Sequence, residues 1–203
     1  MCYCTVLLNR RLAKRCIIVD AKHIPNLISV FRILLVYPVN YLMLDRQFGP
    51  ALGLFILAGL SDGLDGFLAK HYHWQSRLGS YLDPLADKLL LVSSFLTLTW
   101  MGLVPVWLTS TVVLRDVVIL SGAIAYYFLL KPFEGQPHWT SKLNTFLQLL
   151  LVFSVLFSQG VRPLADNLLL ALGNVVFITS LVSGAIYVRV WGSSYWRETH
   201  PQS

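Results

Sequence analysis

Six long apolar runs dominate this chain, and each is about as long as one helical crossing of a lipid bilayer. A transmembrane helix needs roughly 20 mostly apolar residues. Only 13% of the 203 residues are charged, whereas a soluble domain averages about 25%. The pattern therefore predicts an all-α integral membrane protein with one domain of six transmembrane helices. The predicted spans are residues 24–44, 49–70, 83–101, 106–130, 140–158 and 167–190.

The segments outside the spans are short. Residues 1–23 alternate basic and apolar side chains and predict an amphipathic juxtamembrane segment on the bilayer surface. Residues 24–192 form the predicted membrane domain, and residues 193–203 a polar tail. The three cysteines, Cys2, Cys4 and Cys16, lie in the first segment, and their odd number argues against a disulfide framework.

The basic residues indicate an orientation. The formal net charge is +6, and placing both termini in the cytoplasm puts eleven of the sixteen Lys and Arg residues on that side. The same residues are scattered among the spans, so we expect no nucleic-acid partner. Because the sequence shows no cleavable signal peptide and no long targeting extension, the expected location is a bacterial inner membrane.

Four of the ten acidic residues lie in one short segment that joins the second and third spans. Asp62 and Asp65 share a face at the end of the second helix, and Asp83 and Asp87 share a face at the start of the third. A short connection makes these helices antiparallel neighbours, so we expect the two faces to converge at the cytoplasmic boundary.

Clustered carboxylates repel one another and are costly to desolvate at a membrane margin. Basic residues nearby, Lys88 among them, offset part of the charge, but oxygen-only ligands favour hard divalent cations such as Mg²⁺ or Mn²⁺. A pair of such ions suits displacement at phosphorus. Gly63 and Gly66 leave the helix surface bare beside the carboxylates, where a base or phosphate can approach the backbone.

The spacing of this segment resembles the signature of the CDP-alcohol phosphatidyltransferases. The segment begins with Asp62, two residues, Asp65-Gly66, two residues, Ala69 and the basic Lys70. After eight further residues come Gly79, Asp83 and Asp87. Lys70 stands where that family usually has arginine. Lysine keeps the positive charge but lacks the planar guanidinium that can form two parallel hydrogen bonds. The stretch from Ile24 to Arg32 also resembles the family's first span, and the resemblance covers residues 24–190.

The resemblance implies a homodimer that binds two divalent cations and CDP-diacylglycerol. By position, Asp62, Asp65, Asp83 and Asp87 are the implied metal ligands, and Asp87 is also the catalytic base on the acceptor hydroxyl. The implied nucleotide-binding residues lie along the same two helices: Gly63, Gly66, Ala69, Lys70 and Gly79.

The acceptor alcohol is a further prediction. Arg115, Lys142 and Arg32 are basic residues in or beside spans, and we expect them to bind an acceptor phosphate. Arg115 and Asp116 are consecutive and are not expected to share a helix face. The stretches 114–117 and 140–145 resemble family members that use phosphatidylglycerol and form cardiolipin. Close relatives that use glycerol 3-phosphate are the alternative.

Two other protein classes also use intramembrane carboxylates. Membrane prenyltransferases hold a diphosphate with Mg²⁺, but they carry two separate acidic motifs and more spans. A small ion transporter is the non-enzyme alternative, and transporters tend to show internal repeats and broken helices at mid-membrane. This chain has one acidic cluster and no repeat, which favours the phosphatidyltransferase.

Overall fold

The computed structural model describes residues 24–72, 79–129 and 139–199, with side chains for residues 29–62, 85–122 and 139–189. Within these ranges every regular element is an α-helix, as predicted. The six helices are α1 (Ile24–Leu44), α2 (Phe48–Tyr72), α3 (Gly79–Trp100), α4 (Val106–Leu129), α5 (Trp139–Gly160) and α6 (Asp166–Thr199).

The helix ends agree closely with the predicted spans except at two places. Helix α3 begins at Gly79, four residues before the Asp-Pro step that was predicted to open it. Helix α6 continues to Thr199, so the first part of the predicted polar tail is helical. Hydropathy marks where apolar residues stop, whereas a helix can continue wherever its backbone groups stay paired.

Two turns at the same end of the bundle use the same capping arrangement. After α1, Gln47 N–H donates to the Leu42 carbonyl and Arg46 N–H to that of Met43, which is a Schellman motif with Arg46 in the left-handed region at φ 60°. After α3, Gly102 takes the equivalent place at φ 74°. Glycine adopts this conformation without the steric cost that arginine meets.

The bundle has two groups of three helices. Helix α1 packs against α2 and α3, while α6 packs against α4 and α5. Contacts of α5 with α2, and of α4 and α5 with α3, join the groups. The apolar core includes Val39, Phe95, Val112, Leu156 and Val176, all essentially inaccessible to solvent.

The surface is apolar and part of the interior is polar, which is the reverse of a soluble protein. Trp100 and Trp139 are each 86% exposed and Tyr37 is 77% exposed, whereas Arg32 and Gln148 are completely buried. Two segments of the described helices, Trp139–Gly160 and Asp166–Arg189, are long and apolar enough to cross a membrane, and shorter apolar stretches lie at Ser29–Leu44 and Phe48–Asp62. Burial of polar groups away from an apolar exterior suits a lipid environment.

Candidate active site

Arg32 of α1 lies between two carboxylates of the acidic segment. Its Nη1 atom donates to Asp62 Oδ1 on α2 at 2.8 Å and also to Asp87 Oδ1 on α3. The guanidinium is buried, while the side chains of Asp62 and Asp87 are 46% and 40% exposed. The first and last aspartates of the segment therefore meet at one nitrogen atom, and both side chains stay partly exposed.

The route by which these carboxylates meet differs from the expected one. We predicted that α2 and α3 would bring them together as direct neighbours. In the described residues, α1 is the main neighbour of α3 and also packs extensively against α2, and its Arg32 connects the two acidic side chains. A buried cation between the helices offsets a repulsion that would otherwise oppose their approach.

The chemistry of this cluster fits a divalent cation. One guanidinium faces two carboxylates, so an excess negative charge remains, and the donors are partly exposed oxygen atoms. Asp65 and Asp83 lie on helical backbone whose side chains are outside the described set. Among the side chains that are described, no three Asp, Glu, His or Cys residues gather in one place.

A second charged cluster lies on the other side of α3. Lys88 Nζ donates to Asp116 Oδ1 of α4 at 2.6 Å, and Arg115 Nη1 donates to the same oxygen at 2.7 Å. Arg115 Nη2 donates to Ser141 of α5 at 2.6 Å and to Ser183 of α6 at 2.9 Å. Arg115 and Asp116 are both nearly buried.

The contact between Arg115 and Asp116 corrects the expectation that consecutive residues would point apart. Their Cα–Cβ directions do differ by about 100° around the helix. The arginine side chain is long enough to turn its guanidinium back to its neighbour's carboxylate, and burial in the bundle favours that pairing. The pair is therefore intrahelical, and its links to other helices run through Lys88, Ser141 and Ser183.

The two clusters together form a polar layer that crosses all six helices. Asp87 belongs to the first cluster and Lys88, the next residue of α3, to the second. The first cluster carries excess negative charge and the second carries two cations against one carboxylate. The two clusters therefore adjoin at α3, where Asp87 and Lys88 are consecutive residues.

The other predicted site residues are distributed as follows. Lys142 is exposed on α5, next to Ser141. Arg32 is engaged by the acidic cluster, and its role towards an acceptor stays a prediction. The predicted nucleotide-binding residues lie outside the described side chains, at the end of α2 and the start of α3: Gly63, Gly66, Ala69, Lys70 and Gly79.

Sequence reasoning missed the partners in the second cluster. It treated Lys88 only as a charge that offsets the acidic segment, although a lysine inside an apolar run already marks a need for a buried partner. Ser141 lies in the stretch 140–145 that resembles the family, but nothing in the pattern indicates that Ser141 or Ser183 would contact Arg115, because serine is common between packed membrane helices.

Residues 22–190 match the sequence profile of the CDP-alcohol phosphatidyltransferases. A CMP-forming cardiolipin synthase of rat is 40% identical over 163 residues, covering 72% of this chain and 54% of the rat protein; its human counterpart is 39% identical over the same length. A CDP-diacylglycerol–glycerol-3-phosphate 3-phosphatidyltransferase of Aquifex aeolicus is 32% identical over 79% of this chain and 88% of its own length. The chain thus spans about half the length of the mammalian relatives.

Proposed function

This chain belongs to the CDP-alcohol phosphatidyltransferase family, and on that premise we propose that it transfers a phosphatidyl group from CDP-diacylglycerol to an alcohol in phospholipid biosynthesis. The observation that carries the proposal is the meeting of Asp62 and Asp87 at Arg32. These are the first and last acidic positions of the family's signature, and they come from different helices. Membership in this family also disfavours the prenyltransferase and transporter alternatives.

The reaction exchanges one oxygen at phosphorus for another. The acceptor hydroxyl oxygen forms a bond to the β-phosphorus of CDP-diacylglycerol, and the bond from that phosphorus to the CMP oxygen breaks. The hydroxyl proton passes to the carboxylate of Asp87, and CMP leaves. Asp87 suits this role because its carboxylate is 40% exposed and next to the basic cluster.

Two divalent cations, Mg²⁺ or Mn²⁺, would be held by Asp62, Asp65, Asp83 and Asp87. When bound, they would neutralise the diphosphate and the departing CMP. The cytidine diphosphate would lie along the residues proposed to bind the nucleotide: Gly63, Gly66, Ala69, Lys70 and Gly79. Lys70 would supply a point charge where arginine would supply a planar fork.

The proposed acceptor is phosphatidylglycerol, which would yield cardiolipin. Higher identity to the mammalian cardiolipin synthases supports it. Glycerol 3-phosphate is the second candidate, supported by the near full-length match to the Aquifex aeolicus protein. Both acceptors carry a phosphate, for which Arg115, Lys142 and Arg32 are the proposed partners.

The proposed setting is a bilayer crossed by all six helices, with both termini and the active site in the cytoplasm, and a homodimeric assembly. The apolar exterior and the polar layer support the six crossings. A bacterial inner membrane stays a prediction, since the relatives come from animals and plants as well as bacteria.

Product analysis tests the proposal directly. Purified protein in detergent receives CDP-diacylglycerol and Mg²⁺ or Mn²⁺, with phosphatidylglycerol or glycerol 3-phosphate, and the lipids are separated by thin-layer chromatography. We expect cardiolipin and CMP from the first acceptor, and phosphatidylglycerophosphate from the second if the alternative is correct. Absence of CMP release with both acceptors, and with inositol and serine, would refute the proposed reaction.

A further inference from the structure

The second charged cluster contains a lysine that the family signature does not assign to either substrate. Lys88 is 40% exposed, and its ammonium group uses one hydrogen-bond donor on Asp116. An ammonium group has three donors. Lys88 therefore combines a fixed position, an accessible charge and spare donors, and it directly follows the proposed catalytic base in α3.

The position of Lys88 is set by an anchored carboxylate. Asp116 Oδ1 accepts from both Lys88 and Arg115, and Arg115 is held in turn by Ser141 and Ser183. This chain of contacts ties Lys88 on α3 to three other helices. A flexible lysine side chain is thus held towards α4, which reduces the entropy lost when it binds a ligand.

The cluster also has unfilled hydrogen-bonding capacity. Arg115 is 4% exposed, and among the described residues its buried Nε and the buried Oδ2 of Asp116 both lack a hydrogen-bond partner. Such an N–H group in a bundle interior is costly to leave unpaired. Two cations against one carboxylate leave excess positive charge, and a protonated oxyanion such as a phosphate monoester would supply negative charge, an acceptor for Nε and a donor for Oδ2.

We propose that Lys88, held in place by Asp116, binds the phosphate of the acceptor and orients its hydroxyl towards Asp87, with Arg115 as the second cation of the site. The inference rests on the proposed function and extends it: the enzyme selects anionic acceptors, and Lys88 determines that selection. Asp116 is a positioning residue, since it acts through Lys88 and Arg115.

The test measures the acceptor and the nucleotide lipid separately. For wild type, Lys88→Gln, Lys88→Arg and Asp116→Asn, KM is determined for glycerol 3-phosphate or phosphatidylglycerol and for CDP-diacylglycerol. We expect Lys88→Gln to raise the acceptor KM about tenfold or more, with little change in the KM for CDP-diacylglycerol. Lys88→Arg should restore most of the loss, and Asp116→Asn should raise the acceptor KM as well.

Arg46→Gln is a control for loss of a basic charge, because Arg46 lies in the turn between α1 and α2, outside the polar layer. It should leave both KM values unchanged. If wild type releases CMP and Lys88→Gln keeps its acceptor KM, or changes both KM values equally, the inference is overturned while the proposed function stands.

A binding measurement separates the two proposals. With Mg²⁺ present throughout and no CDP-diacylglycerol, addition of glycerol 3-phosphate should raise the Tm of wild-type protein and have no such effect on Lys88→Gln. Loss of that shift alongside a wild type that releases no CMP would uphold the anion site and refute the proposed reaction. An equal shift in both proteins would overturn the anion site whatever the activity.

Discussion

The guanidinium of Arg32 donates to the carboxylate of Asp62 at 2.8 Å from a position where no part of the arginine is exposed. Asp62 itself remains about half exposed. The buried guanidinium thus contacts the acidic cluster from inside the bundle, while the carboxylate side chains stay partly exposed. Because Arg32 offsets part of the repulsion between these carboxylates, we expect the acidic helices to pack together without a divalent cation.

Arg32 should therefore matter most when divalent cations are absent. In chelator, Arg32→Met should lower the free energy of unfolding by about 1–2 kcal/mol, because the paired carboxylates are half exposed and partly screened. Added Mg²⁺ or Mn²⁺ should narrow the difference in Tm between variant and wild type. Arg32→Lys is the matched control, and its free energy of unfolding should fall by less. A deficit that Mg²⁺ leaves unchanged would contradict a cation site at these carboxylates.

Asp87→Asn should reduce turnover by about 100-fold or more, since a general base contributes roughly that factor. The amide has the same shape as the carboxylate and cannot accept the proton. Asp45→Asn is the comparison, because Asp45 lies in the turn after α1, where it accepts a hydrogen bond from Gln47. That variant should keep wild-type turnover. Near-normal CMP release by Asp87→Asn would show that Asp87 is not the general base.

Gly160, at the end of α5, lies against the backbone at the start of α2. A Cβ atom at Gly160 would lie 2.7 Å from both Gly49 N and Phe48 C, so Gly160→Ala forces the start of α2 away from the end of α5. We expect a loss of about 1–3 kcal/mol, read as a lower Tm in detergent. Gly53→Ala is the control: a Cβ there meets nothing within 4 Å, and helix propensity should make it neutral or slightly stabilising. Equal effects of the two variants would argue against the close crossing.

The natural cysteines can report orientation, because Cys2, Cys4 and Cys16 all precede α1. In intact bacterial cells that express the protein, a membrane-impermeant maleimide should label it only after permeabilisation, which would place the N-terminus inside. A variant without these cysteines that carries Gln47→Cys in the first turn should show the opposite behaviour. Labelling of the natural cysteines in intact cells would reverse the predicted topology.

Much of the fold could be predicted because hydrophobic length and helical geometry are local properties of the chain. The six helices follow the apolar runs, and their ends were misjudged only where polar residues stay helical, at Gly79 and beyond Val190. The acidic segment was identifiable for the same reason, since its spacing alone puts Asp62 and Asp87 near the facing ends of two consecutive helices.

The partners of the buried charges were not predictable in that way. Arg32 reaches the acidic cluster because α1 packs against both α2 and α3, and Lys88 pairs with Asp116 because α4 lies beside α3. A charged residue in an apolar run indicates that it has a partner in the bundle, but spacing along the chain does not identify the helix that supplies the partner.

The sequence by itself thus determined the family and the lengths of the helices in the described part of the chain, because these depend on composition and spacing. Only the tertiary structure decided that Arg32 joins the two ends of the signature and that Lys88 and Asp116 form a second charged cluster next to Asp87. The physical reason is that buried charges must be paired within the bundle, and which pairs form depends on how the helices pack.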